Sequence, residues 1–335
     1  MSQMTAPRDI RALPKAHLHL HLAQGMRRST LEEWSAEDGF TAPTAGRFPD
    51  FSEFLAASSE VTRLLTSEAR VRTLIEEAVE DAMLDGVPIL ELSFSPPLYS
   101  GIFGGADEAL RAMTGYAREA GERFGVWTGL IIGIDRHNGP GPALETAKLA
   151  ARFADVGVVG LGLYGDERSY PASAFTEAFQ TGRNAGLLSV PHAGELLGPE
   201  SIRAALADLN PDRIQHGVTA VDDPELLEIL AASAVCLDVC PTSNVNLGVI
   251  RSMAEHPLRR LLQAGVRCSI NADDPTLFGP GAADEYAICR ADIGLDDDAL
   301  AACARSSVEA SAAPHEVKDR ALSGISEWLA KINTD

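Results

Sequence analysis

Three of the eight histidines stand in strict alternation in Ala16-His17-Leu18-His19-Leu20-His21-Leu22. In an extended strand alternate residues share a face, so the imidazoles point one way and the leucines the other. Three imidazoles in register are poor filler for a protein interior and good ligands for a metal ion. Three further segments place histidine or carboxylate at the end of a short apolar run: Pro191-His192-Ala193-Gly194-Glu195, Gln215-His216-Gly217 and Asn271-Ala272-Asp273-Asp274-Pro275. Taken singly, each has a plainer reading, His192 as a hydrogen-bonded core histidine and Asp273-Asp274-Pro275 as a helix cap or turn. Together, three imidazoles and one carboxylate suit Zn²⁺ with a position left open for water.

Such groups must be gathered by elements far apart in the chain. Apolar runs predict eight strands, at Ala16–Leu22, Pro88–Ser93, Val126–Ile134, Val158–Leu163, Leu187–Pro191, Arg213–Gln215, Val235–Val239 and Arg267–Asn271. Amphipathic stretches between them predict helices, among them Ser67–Asp85, Ala106–Phe124, Gly141–Ala154, Ala172–Ala185, Pro199–Ala207 and Asp223–Ala232. This alternation is the pattern of a (β/α)8 TIM barrel, and 335 residues fit one such domain spanning 1–335. The rival, a doubly wound sheet, usually carries G-x-G-x-x-G after its first strand, where this chain has Ala23-Gln24-Gly25-Met26. In a barrel only residues near the C-terminal strand ends reach the catalytic face, which selects His19 and His21 over His17 as ligands. The segment Gly25–Glu68 is long for a βα connection. It predicts extra helices after strand 1 over the barrel mouth, with Phe48, Phe51, Phe54 and Leu55 as their apolar face. Asp297–Asn333 reads as helical and structural.

The formal net charge is −20, which repels phosphate backbones and argues against a nucleic-acid partner. Five cysteines with no C-x-x-C pair do not make a disulfide framework and fit a reducing compartment. Met1–Arg11 lacks the apolar core of a signal peptide, and no stretch reaches 18 uninterrupted apolar residues. The expectation is a soluble cytoplasmic protein with a small-molecule substrate and no membrane partner. Homo-oligomerisation is left open.

In this order, His19-Leu20-His21, the H-A-G-E at His192–Glu195, His216-Gly217, Cys240-Pro241-Thr242-Ser243-Asn244 and Asp273-Asp274-Pro275 resemble the adenosine deaminase family of zinc hydrolases, in the amidohydrolase superfamily. Pro14-Lys15-Ala16 and Gly160-Leu161-Gly162-Leu163-Tyr164-Gly165-Asp166-Glu167 resemble further family blocks, and the likeness extends from about Leu13 to Leu322. The resemblance implies one Zn²⁺ per chain on His19, His21, His192 and Asp273, activating a water that attacks C6 of a 6-aminopurine. It implies that Glu195 protonates N1, so a raised pKa is expected for it. His216 would orient the attacking oxygen, Asp274 would bond N7, and the Gly165 backbone N–H would contact N3. The H-x-E…P-C-x-x-C pattern of base-flipping deaminases is absent.

Four positions depart from the family pattern. Ala23 stands where adenosine-specific members carry an acid for the ribose 5′-hydroxyl, followed by Gln24 where glycine is usual. Gly162 stands where aspartate is common. His17 replaces glutamate and is expected to be a packing or supporting residue. The ring-binding residues are intact and the sugar-side residues have changed. The resemblance therefore implies deamination of adenosine or a 5′-modified adenine nucleoside, with aminodeoxyfutalosine and free adenine as alternatives. A dinuclear lactonase or phosphotriesterase of the same superfamily is the rival enzyme, and a non-enzymatic binding protein is the rival outside catalysis.

Overall fold

A computed structural model of the chain describes residues 8–331. Eight strands, β1 (Ala16–His21), β2 (Ile89–Phe94), β3 (Trp127–Asp135), β4 (Val158–Tyr164), β5 (Leu188–Ala193), β6 (Arg213–His216), β7 (Cys236–Val239) and β8 (Arg267–Ile270), pair in chain order. Every pairing is parallel, with helices between the strands, so the architecture is a (β/α)8 barrel. All eight predicted strands are present. β5 and β6 run one or two residues further than the apolar runs, so His192 and His216 belong to the strands themselves. The predicted helix over 67–85 forms at Glu68–Leu84, with the Ser67 side chain accepting from Arg70 N–H as its cap.

Alternation along β1 is as expected. Leu18 is buried in an apolar cluster with Ala304, Val308 and Ile325 of the C-terminal helices, while His17 and His19 face the interior. That C-terminal region forms two helices, Asp297–Ala310 and His315–Ala330. Pro314 divides them, because proline disfavours helical geometry in the residue before it. The predicted span runs on to Asn333, which lies outside the described residues.

The lower barrel interior is polar. Arg213 on β6 donates through Nε to Asp238 on β7 (2.8 Å) and through Nη2 to Glu91 on β2 (2.6 Å), all three fully buried. Ser269 Oγ donates to the other Asp238 oxygen (2.7 Å), and Asn271 Nδ2 donates to Ser269 Oγ (2.8 Å). Pairing makes such buried charge tolerable, and removing one partner of a pair costs about 3–5 kcal/mol.

The seam between β8 and β1 closes differently from the other pairings. Asp273 N–H donates to the His19 carbonyl (3.0 Å) and His21 N–H to the Asp273 carbonyl (3.0 Å). Below this bridge, side chains replace the ladder. Leu18 and His19 N–H both donate to Asn271 Oδ1 (2.7 and 3.2 Å), and Ala272 N–H donates to His17 Nε2 (3.1 Å). Buried backbone N–H groups need acceptors, and here two side chains supply them. His17 is thus a bridging residue, and burial lowers its pKa to about 3, keeping the ring neutral.

The long β1–β2 connection holds α1 (Arg28–Glu37) and α2 (Phe51–Thr62). Phe54 of α2 stacks on Phe278 (centroids 5.4 Å apart) and Phe48 packs edge-on against both. Gln24 Nε2 donates to Ser58 Oγ (2.6 Å) and to the Ser58 carbonyl (3.2 Å), tying α2 to the end of β1. Of the apolar face read from the sequence, Phe51, Phe54 and Leu55 line a pocket, and Phe48 packs against Phe54 and Phe278.

Candidate active site

His19 and His21 at the end of β1, His192 on β5 and Asp273 after β8 bring four donor atoms within 4.8 Å of one another. His19 Nε2 lies 3.0 Å and His21 Nε2 3.3 Å from Asp273 Oδ1. Backbone carbonyls set two of the rings: His19 Nδ1 faces the Asp238 carbonyl (3.3 Å) and His192 Nδ1 the Leu163 carbonyl (3.0 Å). A carbonyl can only accept, so each Nδ1 carries a proton and each Nε2 is free to ligate. His19 Nε2 and Asp273 Oδ1 are buried with no hydrogen-bond partner of acceptable geometry, although they sit 3.0 Å apart. Lone pairs converging from several sides onto a carboxylate are the donor set of a cation, and the residues fit a divalent metal.

Asp273 adopts φ +62°, unusual for a non-glycine residue, and the two seam hydrogen bonds of its own backbone hold it there. Such strain costs about 1–3 kcal/mol and persists where surrounding contacts fix it. It turns the carboxylate inward. Burial pushes its pKa up, and positive charge at this point, on the His19 and His21 rings or on a cation held between them, brings it well below the usual range. Asp274 is buried next to that charge, so burial first and Asp273 second push its carboxyl well above the usual range.

Glu195 lies past the end of β5, buried, with Oε1 3.5 Å from His216 Nε2. Burial, with Asp273 and Glu167 nearby, raises its pKa well above that of an ordinary carboxylate, as the sequence predicted. His216 ends β6 at φ +65°, and burial lowers its pKa to about 3. The structure therefore brings His21, His192, Glu195, His216, Asp273 and Asp274 around one pocket, with Gly165 on its wall and His19 fully buried beside His21 and Asp273. Gly165 has φ +90°, and a Cβ there would meet His137 and Asp135 at 2.9 and 3.0 Å, so only glycine presents its backbone this closely. At Gly162 a Cβ would lie 3.3 Å from Ile131, which leaves little room for the aspartate common in the family.

Several supporting residues escaped sequence reasoning. Glu167 accepts from Gly194, Glu195 and Leu196 N–H (3.0, 2.8 and 2.8 Å) and from Ser201 Oγ, fixing the turn that carries Glu195. Arg136 donates to the His192 carbonyl (2.8 Å). Asn244 stands against His216 (3.2 Å). Glu167 and Asn244 lie inside blocks already noted in the sequence; nothing local marks Arg136.

The pocket lies between the C-terminal strand ends and α2, where barrel enzymes bind their small-molecule substrates. Away from the carboxylates and histidines its walls are largely apolar, with Ala23, Phe51, Phe54, Leu55, Leu98 and Leu247. Among the described residues no lysine or arginine lines it.

A sequence model described as adenosine deaminase matches residues 14–328. The chain belongs to the adenosine deaminase family. It is 40% identical to a putative adenosine/adenine deaminase of Streptomyces coelicolor over 97% of this chain and 99% of the relative. It is 37% identical to an aminodeoxyfutalosine deaminase of the same organism, over 91% and 82%. Among solved structures, adenine deaminase from Arthrobacter aurescens superimposes with a TM-score of 0.88 at 27% identity, covering 95% of this chain and all of that one. An amidohydrolase from Burkholderia ambifaria with bound Zn gives 0.84 at 25% identity, covering 96% and 92%. This member of the family is a metal-dependent hydrolytic deaminase of 6-aminopurines. No described helix is long and apolar enough to cross a membrane.

Proposed function

We propose that the chain is a mononuclear zinc enzyme that deaminates the adenine ring of an uncharged substrate, adenosine or a neutral 5′-modified adenine nucleoside. The observation that carries this reading is the convergence of His19, His21, His192 and Asp273 on one point, with Glu195 beside it in the same pocket. One ion per chain is supported by the end of β4, where Leu163-Tyr164-Gly165 offers no lysine to bridge a second. When bound, the ion supplies an activated water at neutral pH.

The chain's own residues do the rest. Glu195, protonated in its buried setting, donates to ring N1, and the protonated ring draws electron density from C6. The His216 ring, between Glu195 and Asp273, stabilises charge on the oxygen arriving at C6. Asp274 keeps its proton and through it donates a hydrogen bond to N7, which is an acceptor. The Gly165 N–H meets N3. Ammonia then leaves from C6.

On the sugar side Ala23 offers no side-chain acceptor, and the absence of a lysine or arginine lining leaves a phosphate or carboxylate tail without an ion partner. Free adenine is the second reading, favoured by the apolar wall of Phe51, Phe54 and Leu55, which offers a sugar no side-chain hydrogen-bond partner. The test is ammonia release from adenosine, 2′-deoxyadenosine, adenine, methylthioadenosine and aminodeoxyfutalosine, with metal analysis of the same protein. Ammonia from the neutral compounds and about one zinc per chain are expected. No ammonia from any of them, or two ions per chain, refutes the reading.

A further inference from the structure

Two buried residues that the mechanism above leaves unused lie in line behind His216. Leu258 N–H donates to Nδ1 of His256 (3.2 Å). A backbone amide can only donate, so this Nδ1 is a bare acceptor. His256 is buried and neutral, with its pKa lowered by burial to about 4, so its proton sits on Nε2. That nitrogen is 3.2 Å from Asn244 Oδ1, which accepts from it. The Asn244 amide is thereby oriented, and its Nδ2 donates to His216 Nδ1 (3.2 Å). An Nδ1 that accepts leaves Nε2 as the place for the His216 proton. Nε2 is the nitrogen 3.5 Å from Glu195 Oε1 and 3.8 Å from Asp273 Oδ2. A single unambiguous donor, the Leu258 amide, thus dictates the direction of every hydrogen bond up to the reacting face.

We infer that His256 and Asn244 are positioning residues, which act through His216 by fixing its proton on Nε2 and its ring toward the reacting oxygen. In this state His216 meets that oxygen as a donor. It supports developing charge and, with no free lone pair on Nε2, does not take a proton from that oxygen. Neither residue touches the pocket, and His256 follows His216 by 40 positions outside every motif that sequence reasoning used. The inference rests on the reading of the site as a purine deaminase only for its consequence on rate.

The direct test is the ¹⁵N spectrum of the His216 ring in the wild-type protein near pH 7. Protonated Nε2 and bare Nδ1 are expected; the opposite tautomer overturns the inference without any variant being made. Asn244→Asp then replaces the donor by an acceptor. It should move the His216 proton to Nδ1 and lower kcat at least tenfold with KM changed less than threefold, zinc content unchanged. His256→Gln, whose amide can still donate to Asn244, should keep the wild-type tautomer and most of the rate, whereas His256→Leu should lose both. Wild-type tautomer and kcat in Asn244→Asp, or equal losses in the Gln and Leu variants, overturn the inference. Absence of deamination by the wild type refutes the functional reading instead and leaves the spectral result standing.

Discussion

Ala23→Asp places a carboxylate in the pocket wall where adenosine-specific relatives carry an acid. Ala23 is buried and lines the pocket, so a longer side chain at 23 reaches the pocket. A hydrogen bond from a ribose 5′-hydroxyl to a charged acceptor contributes about 1.5–3 kcal/mol. The pocket already holds Glu195, Asp273 and Asp274, so a fourth carboxylate is harder to keep ionised and the low end applies. The expected gain is therefore about 1.5 kcal/mol, roughly tenfold, in the ratio of kcat/KM for adenosine over 5′-deoxyadenosine. In the wild type that ratio should be near one, because a site that does not bond a group discriminates little against its absence. Initial rates of ammonia release from the matched pair measure both ratios. A wild type preferring adenosine by a hundredfold or more, or a variant ratio within twofold of wild type, would show that another residue reads the hydroxyl and that the argument from Ala23 is wrong.

Asp273→Ala and His192→Ala should each lose bound metal and nearly all activity; full zinc occupancy with wild-type turnover in either removes that residue from the ligand set. Glu195→Gln should retain zinc while kcat falls by about 10²–10⁴-fold, and a loss under tenfold rules out Glu195 as the proton donor. Glu285 is buried, which raises its pKa to about 8, whereas an unfolded chain ionises this group near ~4.3. Between these values the unfolded state has released the proton and the folded state has not, so this group makes stability fall as pH rises. Glu285→Gln should then raise Tm more at pH 8 than at pH 5, and equal increments at both would disprove the assignment.

The barrel was legible because parallel strands covered on their outer face by helices leave continuous apolar runs, and because β1 announces its two faces by alternating histidine with leucine. The cluster of candidate ligands was legible for a related reason: strand ends carry it, and histidine is scarce enough here to stand out. The connections between the ends were hidden. Glu167 holds the Glu195 turn from a neighbouring loop, Arg136 reaches the His192 carbonyl from the end of β3, and His256 acts two side chains away from His216. Each bond joins side chains to backbone or to one another across wide sequence gaps, so no local period or spacing encodes it. The break at Pro314 could have been read, since the proline is in plain view.

The side-chain closure of the β8–β1 seam has a consequence for the order of assembly. His19 and its acceptor Asn271 are 252 residues apart, and no ring exists until the last strand has docked on the first. Bringing such distant segments together carries the loop-closure cost of nearly the whole barrel. During synthesis, then, the chain carries two orphaned histidines at the end of β1 until its final third has emerged, and metal capture belongs to the end of folding. An ion held from β1, β5 and the end of β8 would act as a clasp across this join, and its binding free energy would add to the stability of the closed ring. Stripped of metal, the barrel should open first at this join, where amide exchange of Leu18, His19 and Ala272 would accelerate ahead of the β2–β4 amides.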